Sequence, residues 1–377
     1  MIKPGLRALA AALLASLFGG QAASGADYLL YAGTYTTGRS HGIYAWRFHS
    51  ASGKLTPLGL AAQTPSPSFL IGHPTHGFLY SVNENDNHLS AFAINSKNGR
   101  LTFLNQVSSR GEGPCHLAMD RTARWLAVAN YGTGSVAVLP VGEDGRLGEA
   151  ASFVQNTGSS VHRERQKGPH AHCVRFSPDN RFLLAADLGA DKIFVYRFDA
   201  ATGFLGPGDP PATAVAPGAG VRHLVFHPNG RALYAVNELA STVTAFAYEP
   251  ATGALAELQT VSTLPPGFAG ANSAAEIALN AAGTVLYASN RGHDSIALFA
   301  IDPARLTLTP LEYAPALGRT PRHFALDPTG GYLFAANQDS DSIVRFRVHP
   351  RTGQLIPAGR TATDAAMPAC LVFVAVP

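Results

Sequence analysis

Charge is scarce in this chain. Asp, Glu, Lys and Arg make up 14% of its 377 residues, against ~25% in an average soluble domain. The 28 basic and 25 acidic side chains leave a net charge of only +3. Such a balance supplies no global field for nucleic acid or for an anionic membrane surface. Helical periodicity is missing as well, which excludes a helical solenoid. There is no His-Glu-x-x-His zinc pattern, no phosphate-cradling Gly loop and no Gly-x-Ser-x-Gly nucleophile elbow. Cysteine is limited to Cys115, Cys173 and Cys370. Glycine and proline are plentiful, at 38 and 26 residues, as a chain of many tight turns requires.

Those turns punctuate a repeat. The stretch Gly220 to Glu238 holds an apolar run (Leu224, Val225, Phe226), a turn signal (Pro228-Asn229-Gly230) and a second apolar run ending on Asn237-Glu238. This pattern predicts a β-hairpin. Aligned on Asn237, further copies fall at Asn83, Asn130, Asp187, Asn290 and Asn337, with a divergent first copy at Thr34, at intervals of 47 to 57 residues. A period near 50 with short strands predicts propeller blades. The fold expected is all-β, a seven-bladed β-propeller. The first copy lacks an opening strand and the chain finishes on Pro368 to Val374, so the C-terminal strand is expected to complete the first blade and close the ring. A third strand and a Thr-Gly, Asn-Gly or Asp-Gly turn recur in most copies. Copy six departs, with Pro303 to Thr307 in place of the glycine turn.

Residues 1–26 read as a secretory signal: Lys3 and Arg7, an apolar stretch Leu9 to Phe18 too short for a comfortable span, and the small residues Ser24-Gly-Ala26. Residues 27–377 are then expected to be one propeller domain, exported to the periplasm or secreted, monomeric, with no membrane span. The three cysteines stand at the openings of first strands and read as buried small residues. A Cys115–Cys173 disulfide between neighbouring blades is the alternative.

The register lists what each blade presents at one end of the ring. At the position of Arg222 stand Ala369, Ser68, Cys115, His172, Arg222, Ala275 and Arg322. One residue on come Cys370, Phe69, His116, Cys173, His223, Glu276 and His323. At the position of Glu238 are Tyr35, Glu84, Tyr131, Leu188, Glu238, Arg291 and Gln338. Arginine, histidine and carboxylate gather on blades four to seven, which suggests a site for an anionic or oxygen-rich ligand. The long stretch Gln155 to Pro169, with its charged run through Arg165, joins the same face. Plainer readings exist for several residues: Asp187 as a turn holder, Glu84 as structural, Glu238 and Arg291 as a salt bridge between blades, His73 and His227 as turn residues.

Taken together, Pro169-His-Ala-His172, Arg222-His223 with Asn237-Glu238, Ala275-Glu-Ile277, Ser289 to Ile296, Pro321-Arg322 and Ala336-Asn-Gln338 resemble the seven-bladed lactonase family. That family includes propeller-type 6-phosphogluconolactonases and carboxy-cis,cis-muconate cyclases. The resemblance runs from about Tyr28 to the C-terminus. It implies hydrolysis, or reversible formation, of a lactone at the mouth of the propeller with no cofactor and no metal. Its site pattern falls on His172 (or His170), Arg222, Glu238 and Arg291, with Val221 where the family often has proline. Substrate contacts are expected from His170, His223, Glu276, His293, Arg322 and Arg165. The expected reaction is opening of gluconolactone or 6-phosphogluconolactone, with Glu238 or His172 as general base and Arg222 and Arg291 stabilising the oxyanion. A muconate-type lactonizing cyclase and a non-catalytic propeller that binds a sugar acid or a protein are the alternatives.

Overall fold

In the computed structural model, which describes residues 26–362 and 365–376, seven four-stranded antiparallel sheets account for every strand. The signal segment expected over residues 1–26 lies outside the described residues, apart from its last one. The first sheet is ordered Pro368–Ala375, Asp27–Thr34, Gly42–His49, Lys54–Gln63, so the final strand pairs with the first from Tyr28↔Ala375 to Thr34↔Pro368. The ring closes as the repeat predicts. In each other blade the strands follow one another in chain order, as in blade five: Val221–Phe226, Ala232–Asn237, Thr242–Tyr248 and Leu255–Ser262.

Turn chemistry follows the expected residues. Gly99, Gly145, Gly203, Gly253 and Gly353 all have φ between 72° and 79°, the left-handed region that lacks a Cβ penalty only for glycine. In copy six Leu306 occupies that region instead, with φ 60°. Its side chain is buried with Ile301 and Leu308 in the core between blades five and six, so packing offsets the local cost.

Apolar side chains interleave between neighbouring sheets. Tyr234 and Val236 of blade five, for example, pack on Leu286, Ala288 and Phe299 of blade six. The repeated asparagine ties blades at the mouth. Asn130, Asn290 and Asn337 each donate from Nδ2 to the carbonyl of a preceding linker residue, Ser109, Thr263 and Ala316. Asp187 replaces this donor with an acceptor. Its carboxylate receives Asn156 Nδ2 at 2.7 Å and the backbone N–H groups of His170 at 2.7 Å and Ala190 at 2.9 Å.

The innermost strands share one irregularity that shapes the mouth. Pairing skips Cys115, His172, Arg222 and Arg322, and in blade six it skips Ala275 and Glu276. A bulged residue breaks the strict two-residue alternation of a strand. Arg222 and His223 can therefore both line the central channel, one above the other.

Candidate active site

The outer tier is built around Glu238, which follows strand Ala232–Asn237 and is 4% exposed. Its Oε2 contacts Arg222 Nε at 2.9 Å and Arg291 Nη2 at 3.0 Å, and its Oε1 accepts Arg165 Nη2 at 2.8 Å. The Arg222 contact is ionic and out of line for a hydrogen bond. Further donors fix the guanidinium groups: Arg222 Nη1 to the Ala275 carbonyl at 2.6 Å, and Arg291 Nε and Nη2 to those of Ser273 and Ala274. Burial pushes the Glu238 carboxyl upward, yet Arg291 and Arg222 outweigh it and hold the group well below the usual carboxylate range. Burial and then the Arg222 charge lower Arg291 to about 10.

His172 stands beside this cluster, 5% exposed, with Nδ1 3.9 Å from Cys115 Sγ. Its Nε2 makes no hydrogen bond among the described residues. Burial, then the neighbouring Arg222, depresses its imidazole well below the ordinary histidine value, so the ring is neutral at pH 7. His170 Nδ1 lies 2.8 Å from the Tyr131 carbonyl, and its ring stacks on that of Tyr131 at 4.5 Å. The Tyr131 hydroxyl accepts Arg165 Nη2 at 3.1 Å. Tyr131 occupies the register position of Glu238 on blade three, but a selection made on charge passes over it.

A second tier lies one residue deeper. The His223 ring is 5.2 Å from that of His172, 5.0 Å from that of His116 and 6.1 Å from Phe69. Glu276 Oε2 is shared by His223 Nδ1 at 3.0 Å and His323 Nε2 at 3.3 Å. His116 belongs here too, a position the register lists and the charge-based selection leaves out. Among the described residues no group of His, Cys, Asp and Glu has the arrangement to hold a metal ion.

Of the expected site residues, His172, Arg222, Glu238, Arg291 and Arg165 meet in the outer tier, and His223 and Glu276 meet below. Arg322 lies on blade seven, toward blade one, where Nη2 donates to Tyr35 at 2.7 Å. His293 stands apart, with Nδ1 2.7 Å from Ser295 Oγ and its ring against Phe268. The Cys115–Cys173 disulfide is not formed, and all three cysteines are free and buried. The bulge explains this. Cys115 sits in the outer tier by His172, whereas Cys173 sits in the lower one, its Sγ 3.5 Å from His116 Nε2.

Comparison with known proteins agrees with this architecture. The 6-phosphogluconolactonase of Bacillus subtilis is 36% identical over 299 residues, 79% of this chain and 84% of that protein. The 6-phosphogluconolactonase of Formosa agariphila is 34% identical over 304 residues, 78% and 85% of the two chains. The periplasmic gluconolactonase of Pseudomonas aeruginosa superimposes with a TM-score of 0.87 at 38% identity, covering 93% of this chain and all of that one. A model of the lactonase family, described as a seven-bladed β-propeller, matches residues 29–373. On that match, the blade count and the relatives' extent, this chain belongs to the seven-bladed β-propeller lactonase family.

Proposed function

We propose that the mouth opens a sugar lactone, gluconolactone or its 6-phosphate, to the free acid. The observation that carries the reading is a neutral, buried His172 beside arginines held in place by an ionised Glu238. At the mouth three guanidinium groups (Arg165, Arg222, Arg291) meet the single carboxylate of Glu238, and Arg322 and Glu84, joined through the Tyr35 hydroxyl, add one charge of each sign. That excess of positive charge suits an oxyanion and an acid product.

In the reaction, His172 takes a proton from water as the oxygen attacks the lactone carbonyl carbon. Arg222 stabilises the tetrahedral oxyanion. The ring C–O bond then breaks, and the departing alkoxide takes the proton from His172, leaving a hydroxy acid that ionises. Glu238 is not placed to take the proton, because arginines occupy both of its carboxylate oxygens, whereas the Nε2 of His172 is unengaged among the described residues. The part of Glu238 is to position Arg222 and Arg291. General-base catalysis contributes about 10²- to 10⁴-fold and an oxyanion donor about 10²- to 10³-fold, enough for esters that hydrolyse unaided. The N-terminal segment and the likeness to a periplasmic gluconolactonase support export, and with it the unphosphorylated lactone.

The test is hydrolysis of glucono-δ-lactone and 6-phosphogluconolactone in a pH-indicator assay, with and without chelator. Turnover above the buffer rate is expected, reduced at least about 100-fold in His172→Asn and at least about tenfold in Arg222→Ala, with both variants folded by circular dichroism. Failure to open either lactone, together with turnover of an unsaturated dicarboxylate, would replace this reading by cyclisation.

A further inference from the structure

On the side of the mouth away from Glu238, blades one, two and seven bring together a second polar group. The Tyr35 hydroxyl donates to Glu84 Oε2 at 2.9 Å and accepts Arg322 Nη2 at 2.7 Å, while Ser68 Oγ donates to the same Glu84 oxygen. The Arg322 guanidinium also lies over the Tyr35 ring, 5.1 Å from its centroid. Tyr35, Glu84 and Arg322 are all partly exposed.

What sets this group apart is its unused hydrogen-bonding capacity. At Glu238 both carboxylate oxygens are engaged by arginines, which are themselves held by backbone carbonyls and by Tyr131. Arg322 uses Nη2 alone, and its Nε and Nη1 have no hydrogen-bond partner among the described residues. Glu84 places both of its bonds on Oε2, and Oε1 has none among them. Neither Glu84 Oε1 nor an Arg322 nitrogen is a sealed, unsatisfied atom, so both remain open to a ligand. A contact that only tied the blades together would have no need of a carboxylate with a spare oxygen and a guanidinium with spare donors; elsewhere on the rim an asparagine on a linker carbonyl does that. An acceptor and a donor fork separated by one tyrosine hydroxyl match neighbouring hydroxyls of a polyol, one donating to the carboxylate and the next accepting from the guanidinium.

We infer that Glu84, Tyr35 and Arg322 form a polyol subsite, which grips adjacent hydroxyls of the substrate's sugar chain while the lactone carbonyl faces His172 and Arg222. The inference rests on the lactonase reading and adds to it the orientation of the substrate and a reason to select hydroxylated lactones. A site built to bond a hydroxyl discriminates strongly against the analogue that lacks it.

The experiment compares kcat/KM for glucono-δ-lactone with that for δ-valerolactone, the same ring without hydroxyls, in the wild-type chain, Glu84→Gln and Tyr35→Phe. The wild-type ratio is expected to favour gluconolactone, and Glu84→Gln to lower it about tenfold or more, as loss of a charge-assisted hydrogen bond implies. Tyr35→Phe should lower it in the same direction through KM. Thermal unfolding checks that both variants are folded. A ratio that stays at the wild-type value, whether or not both rates fall, overturns the subsite. If the wild-type chain opens neither lactone, the lactonase reading fails by itself, and calorimetric binding of gluconate then decides the subsite. Binding that Glu84→Gln weakens about tenfold supports it, and no binding, or binding unaffected by the variant, overturns it.

Discussion

His172 and Glu238 illustrate how one cluster separates two titratable groups. Both are buried next to Arg222, and the same positive field acts on each in its own direction. It stabilises the carboxylate of Glu238 and opposes a proton on His172. If the neutral imidazole is the base, activity is present at pH 7 and falls as the pH drops through the lowered histidine value. The acid limb of kcat/KM is therefore expected below pH 6.5. Arg222→Ala removes a charge that keeps the proton off, so its residual activity should show that limb displaced to higher pH. A pH–rate profile of the two proteins checks this, and coincident limbs would count against His172. Tier membership at this scale was only half legible in sequence. The register placed Arg222 and His223 at the same end of blade five, but strict alternation would have turned them to opposite faces. The bulge that admits both depends on how two strands pair, which no local pattern encodes.

Among the elements, the connection between blades three and four has the most to do with the site. Sequence marked it by its length and charge without saying whether it is ordered. Gln166 supplies the order. It is fully buried, donating from Nε2 to the Leu188 carbonyl at 2.9 Å and accepting the His162 N–H on Oε1 at 2.9 Å. The His162 ring nitrogen in turn accepts the Arg165 N–H at 3.2 Å. Gly189 allows the close return, since a Cβ there would lie 2.0 Å from the Gly168 carbonyl oxygen. A buried glutamine reads in sequence as one more polar loop residue, so this anchor gave no signal. Gln166→Ala leaves the buried Leu188 carbonyl without its donor, at a cost of about 1–3 kcal/mol, and loosens the segment that brings Arg165 to Glu238. The expected outcome is a KM raised several-fold with kcat changed less, and faster limited proteolysis between Val161 and Lys167. Unaltered KM would confine the loop to a structural part.

For the whole molecule, the repeat made the blade count and the ring closure legible, because most copies carry their own turn glycine and every copy its own apolar runs. What no single copy reveals is the concentration of ionisable groups that the ring produces on its axis. His116, His172, His223 and His323 come from four blades into one channel, and burial, aided by the nearby arginines and opposed at His323 by Glu276, lowers all four below the ordinary value of 6.5. The consequence is a pH-dependent fold. Above pH 6.5 these rings are neutral folded or unfolded and contribute no slope. Below it the unfolded chain binds protons that the folded chain refuses, so stability falls with falling pH, by at most about 1.4 kcal/mol per pH unit for each ring. Glu238 acts in the same sense further down. Its depressed carboxyl contributes stability above the unfolded value of 4.5 that is lost as the pH falls below that value. The thermal midpoint is therefore expected to hold between pH 7 and 8 and to drop steeply from pH 6.5 to 5. A midpoint that stays level over that lower range would mean that the channel admits protons to these rings without unfolding.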